Sequence, residues 1–352
     1  MSLNLIHGGD WAGFVQEYGT EPLDFSANIS PLGVPEGVQK ALRGAASAAD
    51  RYPDPLCRDL RTAIGASEGI PPEQVLCGNG AADLIFRIPL ALRPRRALVT
   101  APTFAEYEAA LHTVDCTVER MSLVLERKFR LGNDILQSIT PETDLVFLCE
   151  PNNPTGVTTP RPLLEEILTR CRETGTHLVV DECFGDLLED PDAHTLKGYL
   201  DDFPNLLILK AFTKLYAMAG VRLGYLLCGN QKLLEALARA GQPWAVSTLA
   251  QAAGVAALKE DGYVRQVRAF IARERPWLLE HLERLGLQVI PGEANYLLFW
   301  SEKPLLEPMR RRGILLRDCA NYQGLQAGWY RTAVRTRREN ERLLSALEEC
   351  LR

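Results

Sequence analysis

The sequence lacks the residue spacings by which metal sites and disulfide frameworks are recognised. Its nine cysteines are scattered along 352 residues and form no Cys-x-x-Cys pair, and its five histidines form no His-x-x-x-His or comparable cluster. These absences argue against a dedicated metal site. Several cysteines, such as Cys149 and Cys228, lie in apolar runs, where a free thiol behaves as a small hydrophobic side chain. The pattern favours a reducing cytoplasm over an oxidising compartment.

The sequence also has no surplus of basic residues and no long apolar segment. The chain has 39 Lys and Arg residues against 45 Asp and Glu residues, a net charge of -6, so no basic field attracts nucleic acid or an anionic membrane surface. No run of about eighteen apolar residues occurs, and the N-terminus has no basic, then apolar, export signal. We therefore expect a cytoplasmic protein that binds neither nucleic acid nor membranes. An anionic substrate would have to be held by a local group of arginines.

Short apolar runs alternate with segments of helical length between residues 75 and 228. Continuous apolar runs suit strands that are covered on both faces. The predicted strands are Val75–Cys77, Ala97–Thr100, Thr117–Met121, Leu145–Cys149, His177–Asp181, Leu206–Lys210 and Leu223–Cys228. Helices are predicted between them over Ala81–Leu92, Phe104–Thr113 and Pro162–Thr174. This alternation predicts an α/β fold with a large, doubly wound and mostly parallel seven-stranded sheet.

After residue 230 the sequence becomes richer in helical patterns. Helices are predicted over Val246–Leu258, Tyr263–Leu285 and Arg338–Leu351, and strands over Tyr296–Trp300, Ile314–Arg317 and Tyr330–Val334. Several prolines among the first residues indicate an irregular segment there. We therefore expect an N-terminal arm over residues 1–30 that joins the small domain, a large domain over residues 31–240 and a smaller α+β domain over residues 241–352.

The most informative stretch places Lys214 shortly after an apolar strand and Arg222 eight residues later. A lysine withdrawn from water loses some of its preference for the charged form, so its amine can condense with an aldehyde. The planar guanidinium of an arginine suits phosphate oxygens. An aldehyde that carries its own phosphate suggests pyridoxal 5'-phosphate (PLP). Taken alone, a lysine before a Gly-containing loop is usually a solvated turn residue, so the interpretation depends on partners elsewhere.

Three such partners follow other predicted strands. The turn Cys77–Asp83 opens a helix, where backbone amides can bind phosphate, although it also suits a plain strand-to-helix turn. The motif Glu150–Gly156 lies at the carboxyl edge of the sheet, where two prolines would hold Asn153 rigidly toward a ligand or simply form a turn. Asp181 ends a buried strand, where its carboxylate can keep a pyridine nitrogen protonated. The alternatives for Asp181 are a helix cap or an ordinary ion pair.

The order of these features resembles the fold-type I PLP-dependent enzymes of the class I/II aminotransferase superfamily, over essentially the whole chain. The resemblance implies that Lys214 holds the cofactor as a Schiff base, that Asp181 pairs with the ring nitrogen and that Asn153 hydrogen-bonds the ring hydroxyl. It also implies a set of phosphate-binding residues, namely Gly80, Ala81, Ala82, Thr213 and Arg222, with the Ala211 amide as a further candidate.

The same resemblance assigns two aromatic residues. Phe104 is implied to stack on the cofactor ring, although a Phe at the start of a helix is as often ordinary core. Tyr52 is implied to reach the cofactor phosphate of a neighbouring subunit, so homodimers with shared active sites are expected. One departure concerns the motif after the strand: related aminotransferases have Asp-Glu-Ala-Tyr, whereas this chain has Asp181-Glu-Cys-Phe184. The hydroxyl that would touch the cofactor is therefore missing.

The superfamily places an arginine that grips the substrate carboxylate near the C-terminus, and Arg331 is the candidate, although it could be a solvent-facing strand residue. Several segments, such as Asp24–Gly33 and Cys319–Gly324, resemble the branch that decarboxylates O-phospho-L-threonine for cobalamin biosynthesis. That resemblance implies a small phosphorylated amino acid as substrate, contacted by His7, Asn28, Asn153, Arg317, Arg331 and Arg335. A histidinol-phosphate aminotransferase is the alternative enzyme, and a PLP-fold sensor domain is a third, less supported interpretation.

Overall fold

The computed structural model describes residues 7–352. The helices are α1 Trp11–Tyr18, α2 Glu36–Ala45, α3 Arg58–Glu68, α4 Ala81–Leu92, α5 Glu106–His112, α6 Ile135–Ser138, α7 Arg161–Thr174, α8 Phe212–Leu215, α9 Gln231–Arg239, α10 Thr248–Ala257, α11 Asp261–Arg284, α12 Leu306–Arg311 and α13 Arg337–Leu351. The strands are β1 Leu23–Asp24, β2 Val75–Gly78, β3 Arg96–Ala101, β4 Thr117–Ser122, β5 Leu145–Cys149, β6 His177–Asp181, β7 Leu206–Ala211, β8 Gly224–Leu227, β9 Gln288–Ile290, β10 Tyr296–Trp300, β11 Ile314–Leu315, β12 Arg317–Asp318 and β13 Trp329–Ala333.

The large sheet has seven strands in the order β2-β8-β7-β6-β5-β3-β4. All neighbours are parallel except β8, which runs antiparallel to both β2 and β7. Along β7, Leu206 and Ile208 pack into the core on one face, whereas Leu207 and Leu209 pack into the core on the other. The predicted doubly wound, mostly parallel sheet is confirmed. It could be predicted because strands that are covered on both faces need apolar residues at every position. The carboxyl ends of β5, β6 and β7 consequently meet at one edge.

A second, antiparallel sheet is built from the C-terminal part of the chain in the order β12-β13-β10-β9. The sequence predicted one strand over Ile314–Arg317, but the chain divides at Leu316, so that β11 and β12 belong to different sheets. The three-residue strand β9 was not predicted, since it is too short to show a periodic pattern. The domain limits at residues 30 and 240 stay predictions.

The N-terminal segment is more regular than expected. Helix α1 begins after Asp10, whose carboxylate accepts a hydrogen bond from the Gly13 amide at 3.0 Å, and it ends at Gly19, which has a φ of 70°. Such residues are typical caps at the two ends of a helix. They could have indicated α1 in the sequence, where only an irregular segment was predicted. Beyond the helix, β1 pairs in parallel with β11 and ties this segment to the C-terminal part of the chain.

Two general features concern the described residues as a whole. Within residues 7–352, no helix has the length and apolar character needed to cross a membrane. The same residues contain no group of three or more His, Cys, Asp or Glu side chains that could hold a metal ion.

Candidate active site

A cavity of about 460 Å³ opens at the carboxyl edge of the large sheet. Its wall combines the N-terminal segment, the ends of β5 to β7 and residues near β12 and β13. Most of the predicted site residues line it, namely His7, Asn28, Ala81, Ala82, Phe104, Asn153, Asp181, Thr213, Lys214, Arg222, Arg317 and Arg331. Segments that are far apart in the sequence therefore converge on one space, as expected where strands of an open α/β sheet end.

Lys214 lies on the short helix α8, directly after β7, and its amine faces this cavity. Desolvation of the amine, together with the positive charges of Arg331 and Arg222, lowers the pKa of Lys214 to about 8. Its Nζ atom lies 5.4 Å from the centre of the Phe184 ring, so an apolar face replaces the hydroxyl of the related motif. A sizeable fraction of such an amine is neutral near pH 8 and can act as a nucleophile.

Asp181 ends β6 and presents a carboxylate with both oxygens held. Its Oδ2 accepts a hydrogen bond of 2.6 Å from the hydroxyl of Tyr107, and its Oδ1 accepts one of 3.0 Å from the Cys183 amide. Each oxygen of the buried carboxylate therefore accepts one bond from a neutral donor. Tyr107 was not predicted as a site residue. Its position three residues after Phe104, in the turn that leads into α5, was the signal available in the sequence.

The turn between β2 and α4 fits closely against Arg222. Gly80 has a φ of +79°, and a Cβ atom at this position would lie 2.8 Å from Nη2 of Arg222. Only glycine allows this close approach at that backbone conformation. Gly80 itself is outside the cavity lining, but Ala81 and Ala82, the first residues of α4, face the cavity beside Arg222. A helix start next to a guanidinium suits a phosphate group.

Arg331 and Asn153 form the opposite wall. Nη1 of Arg331 donates to the side-chain oxygen of Asn153, and Nη2 donates to the Ser26 carbonyl at 3.0 Å. The Tyr322 hydroxyl also approaches the Asn153 oxygen, at 3.4 Å. Because its oxygen faces two donors, the amide of Asn153 is oriented with Nδ2 as the atom that can donate to a ligand.

Three polar residues complete the part of the cavity nearest the N-terminal segment. Asn28 is only 1% exposed, yet neither its side-chain oxygen nor its nitrogen has a partner among residues 7–352. Arg317 donates to Asn321 at 2.9 Å and lies over the Tyr322 ring. His7 contacts Glu106, with 2.6 Å between Nε2 and Oε1. An unpaired buried amide costs stability, and no partner among the described residues offsets that cost at Asn28.

Two predicted residues lie elsewhere. Arg335, expected to contact the substrate, is not part of the cavity wall: it donates to the Asp24 carbonyl at 3.1 Å and to Glu339 at 2.7 Å. Its guanidinium therefore links β1 to the first turn of α13. Tyr52 is 81% exposed and stacks on Trp244, with 4.6 Å between ring centres. Its implied role concerns a neighbouring subunit and stays a prediction.

The desolvated amine of Lys214, the held carboxylate of Asp181 and the glycine turn beside Arg222 together fit PLP. A mostly parallel α/β sheet with such a lysine after one strand and such an aspartate at the end of the neighbouring strand defines the fold-type I class of PLP-dependent enzymes. Comparison with known proteins is more specific. The family model for aminotransferase class I and II matches residues 20–347, and the chain belongs to this family.

The similar proteins are named for two different activities. The chain is 39% identical to a threonine-phosphate decarboxylase of Salmonella typhimurium, over 99% of this chain and 97% of that protein. It is 37% identical to a histidinol-phosphate aminotransferase of Desulfitobacterium hafniense, over 93% and 91% of the two chains. The solved structure of a histidinol-phosphate aminotransferase from Clostridium acetobutylicum superimposes with a TM-score of 0.87 at 26% identity, covering 93% of this chain and 98% of that one. The fold alone thus does not separate the two activities.

Proposed function

We propose that this protein is a PLP-dependent carboxy-lyase that converts O-phospho-L-threonine to (R)-1-amino-2-propanol phosphate and CO₂, for use in cobalamin biosynthesis. The observation that carries the proposal is the presence of two guanidiniums, those of Arg331 and Arg317, in the same cavity as the amine of Lys214. The 39% identity to a threonine-phosphate decarboxylase along nearly the whole chain supports the same substrate class.

The residues that would hold the cofactor are those whose geometry fits it. Lys214 would bind its aldehyde, Asp181 would pair with its ring nitrogen, and Arg222 with the start of α4 would bind its phosphate. Phe104, which lines the cavity beside Asp181, would cover the ring, and Asn153 would donate to the ring hydroxyl through Nδ2. When bound, PLP supplies an electron-withdrawing ring that weakens the bonds at the substrate Cα atom.

The substrate carries two anionic groups, a carboxylate and a phosphate, and the cavity offers one guanidinium for each. Arg331 is buried and fixed through Asn153 and Ser26, so it suits the orientation of a carboxylate. Arg317, His7 and the unpaired amide of Asn28 would face the phosphate. Holding both ends of the substrate would fix which Cα bond is aligned for cleavage, and these contacts would select the bond to the carboxylate, which is lost as CO₂.

When CO₂ leaves, the electrons of the broken bond stay on the organic product. A proton must therefore be added to Cα. Lys214, with a pKa lowered to about 8, is suited to carry that proton, because a group whose pKa lies near the working pH exchanges protons most effectively. The apolar ring of Phe184 beside Nζ keeps water from competing for the same position.

A histidinol-phosphate aminotransferase is the second candidate. The observation that favours it is the 37% identity to an enzyme of that name over 93% of the chain. Two guanidiniums would also suit the two carboxylates of the glutamate that such a reaction produces. In that case the same contacts would select the Cα–H bond, and Lys214 would remove and transfer the Cα proton.

One experiment separates the two reactions. Purified protein with PLP is mixed with O-phospho-L-threonine and CO₂ is measured, then with histidinol phosphate and 2-oxoglutarate and glutamate is measured. We expect CO₂ without glutamate; glutamate without CO₂ would overturn the decarboxylase proposal. Lys214→Ala should abolish the visible absorbance of the imine between protein and cofactor, and an imine band that survives would refute the assignment of Lys214.

We further propose a cytoplasmic homodimer with shared active sites. Free thiols at all nine cysteines support a reducing compartment. The exposed stack of Tyr52 on Trp244, together with the neighbouring Leu56 at 52% exposure, supports a partner at this surface, since adjacent large apolar side chains mark interaction sites. Sedimentation would test the dimer. A Tyr52→Ala variant that keeps full cofactor affinity would refute the shared site.

A further inference from the structure

Tyr107 links two residues that would touch the cofactor, Phe104 and Asp181. Its ring is fully buried and stacks on Phe147, with 4.9 Å between ring centres and an angle of 8°. The edge of the same ring meets Phe104 at 5.6 Å. Its hydroxyl donates to Oδ2 of Asp181 at 2.6 Å. Neighbouring rings on two sides fix the phenol, and its hydroxyl also interacts with the Cys149 thiol.

Resting on the PLP function proposed above, we propose that Tyr107 is a positioning residue that holds the carboxylate of Asp181 aimed at the cofactor ring nitrogen. The second oxygen, Oδ1, is fixed by the Cys183 amide at 3.0 Å. The carboxylate is therefore held from two sides by neutral donors that come from different elements. No step of the reaction passes through the Tyr107 hydroxyl itself.

The Tyr107 hydroxyl acts on the orientation of the Asp181 carboxylate. Burial, and then the negative charge of Asp181, raise the pKa of Tyr107 well above its ordinary value, so the phenol stays a donor. The bond at 2.6 Å fixes the direction of Oδ2 of Asp181. Without that bond the carboxylate could turn away from the ring nitrogen, and the proton on that nitrogen would lose the negative charge that stabilises it. The ring withdraws electrons well only while its nitrogen is protonated.

The titratable groups around Asp181 come from several elements. Besides Tyr107 on α5, they are Cys149 at the end of β5, Cys183 in the loop after β6, Lys214 on α8 and Tyr296 on β10. Burial raises the pKa of Cys149 above its ordinary range and that of Cys183 well above its ordinary value, so both thiols stay neutral. Among these groups Lys214 alone has a pKa near neutrality, and a bound aldehyde would occupy its amine.

The test compares the holoenzyme with Tyr107→Phe and with Tyr225→Phe as a matched control. The Tyr225 hydroxyl is also buried and donates to a carboxylate at 2.6 Å. Its acceptor is Glu68, the last residue of α3, and neither residue lines the cavity. Each protein is loaded with nitrogen-15-labelled PLP, and the ring nitrogen signal and cofactor Kd are measured. We expect Tyr107→Phe to move the signal toward that of an unprotonated pyridine and to raise Kd about tenfold, as the loss of one bond to a charged group implies.

An unchanged ring nitrogen signal in Tyr107→Phe, or an equal change in Tyr225→Phe, would overturn the proposal. Tyr107→His provides a second measurement if the Phe variant does not fold. Its imidazole can still donate to Asp181, so the ring nitrogen signal should stay close to that of the wild type; a signal that moves to that of an unprotonated pyridine would again refute the role. Wild-type protein that fails to bind labelled PLP would instead refute the proposed function, so the two failures are distinguishable.

Discussion

Arg331 donates through Nη1 to the side-chain oxygen of Asn153, so the residue proposed to hold the substrate carboxylate also orients the residue proposed to hold the cofactor ring. Asn153 and Arg331 are 178 positions apart in the sequence. With these proposed roles, we expect substrate affinity and cofactor affinity to be coupled through one hydrogen bond.

The coupling predicts that Arg331→Lys weakens both ligands. A lysine cannot keep the bonds to Asn153 and Ser26 while pairing with a carboxylate through a planar fork. We expect kcat/KM to fall between about 10- and 100-fold, with a measurable rise in the Kd of PLP. Steady-state kinetics and cofactor titration measure the two effects. Arg310→Lys, at an arginine that pairs with Glu17 outside this cavity, is the control, and an unchanged PLP affinity in Arg331→Lys would contradict the coupling.

The lowered pKa of Lys214, about 8, predicts a pH-dependent stability of the cofactor-free protein. The folded pKa lies below the unfolded value of about 10.4, so the unfolded chain binds more protons between these values. The free energy of unfolding should therefore rise as pH increases from about 8 to about 10.4. Lys214→Met should be more stable than the wild type at pH 7, by about 1–3 kcal/mol, and this difference should vanish above pH 10.4.

Urea unfolding of the cofactor-free proteins at several pH values measures this difference. Lys232→Met, at an exposed lysine of α9, should show no comparable pH dependence relative to the wild type. A Lys214→Met protein that is less stable than the wild type at pH 7 would show that the buried ammonium is compensated in the folded state.

The unpaired amide of Asn28 predicts a variant that loses affinity but not stability. Asn28→Ala removes a buried polar group that has no internal partner, so the unfolding free energy should stay equal or rise. The KM for the phosphorylated substrate should increase about tenfold, because the amide is expected to contact its phosphate. Asn340→Ala should do the opposite, since the buried Asn340 amide bonds the Arg335 backbone through both atoms. Equal loss of stability in the two variants would argue against a ligand role for Asn28.

The close approach of Gly80 to Arg222 predicts a specific defect for Gly80→Ala. The new Cβ atom would meet Nη2 of Arg222 at 2.8 Å, and the φ of +79° is strained for alanine. We expect the displaced guanidinium to raise the Kd of PLP by about 10-fold, with a stability loss of about 1–2 kcal/mol. Gly198→Ala is the control, because its Cβ would meet open space. Normal cofactor affinity in Gly80→Ala would show that Arg222 does not hold the phosphate.

The sequence allowed the large sheet and much of the cavity wall to be predicted for one physical reason. Buried parallel strands need unbroken apolar runs, and polar residues that follow such runs collect at one sheet edge, as Asn153, Asp181 and Lys214 do. Contacts that depend on how elements pack laterally were missed. The bond from Tyr107 to Asp181 joins α5 to β6 across 74 positions, and Arg335 turns toward α13 although its neighbour Val334 ends a predicted strand. Neither direction is encoded in a local pattern.

The bond from Arg331 to the Ser26 carbonyl joins positions 305 apart. During synthesis on the ribosome, the large sheet can be complete once β8 has emerged, yet the wall that contains Arg331 is still missing at that stage. Lys214 would then face an open groove without the arginine that aligns a substrate. The reactive lysine is therefore produced long before the group that selects its reaction, and a nascent or prematurely terminated chain could carry the cofactor anchor without the means to choose a substrate.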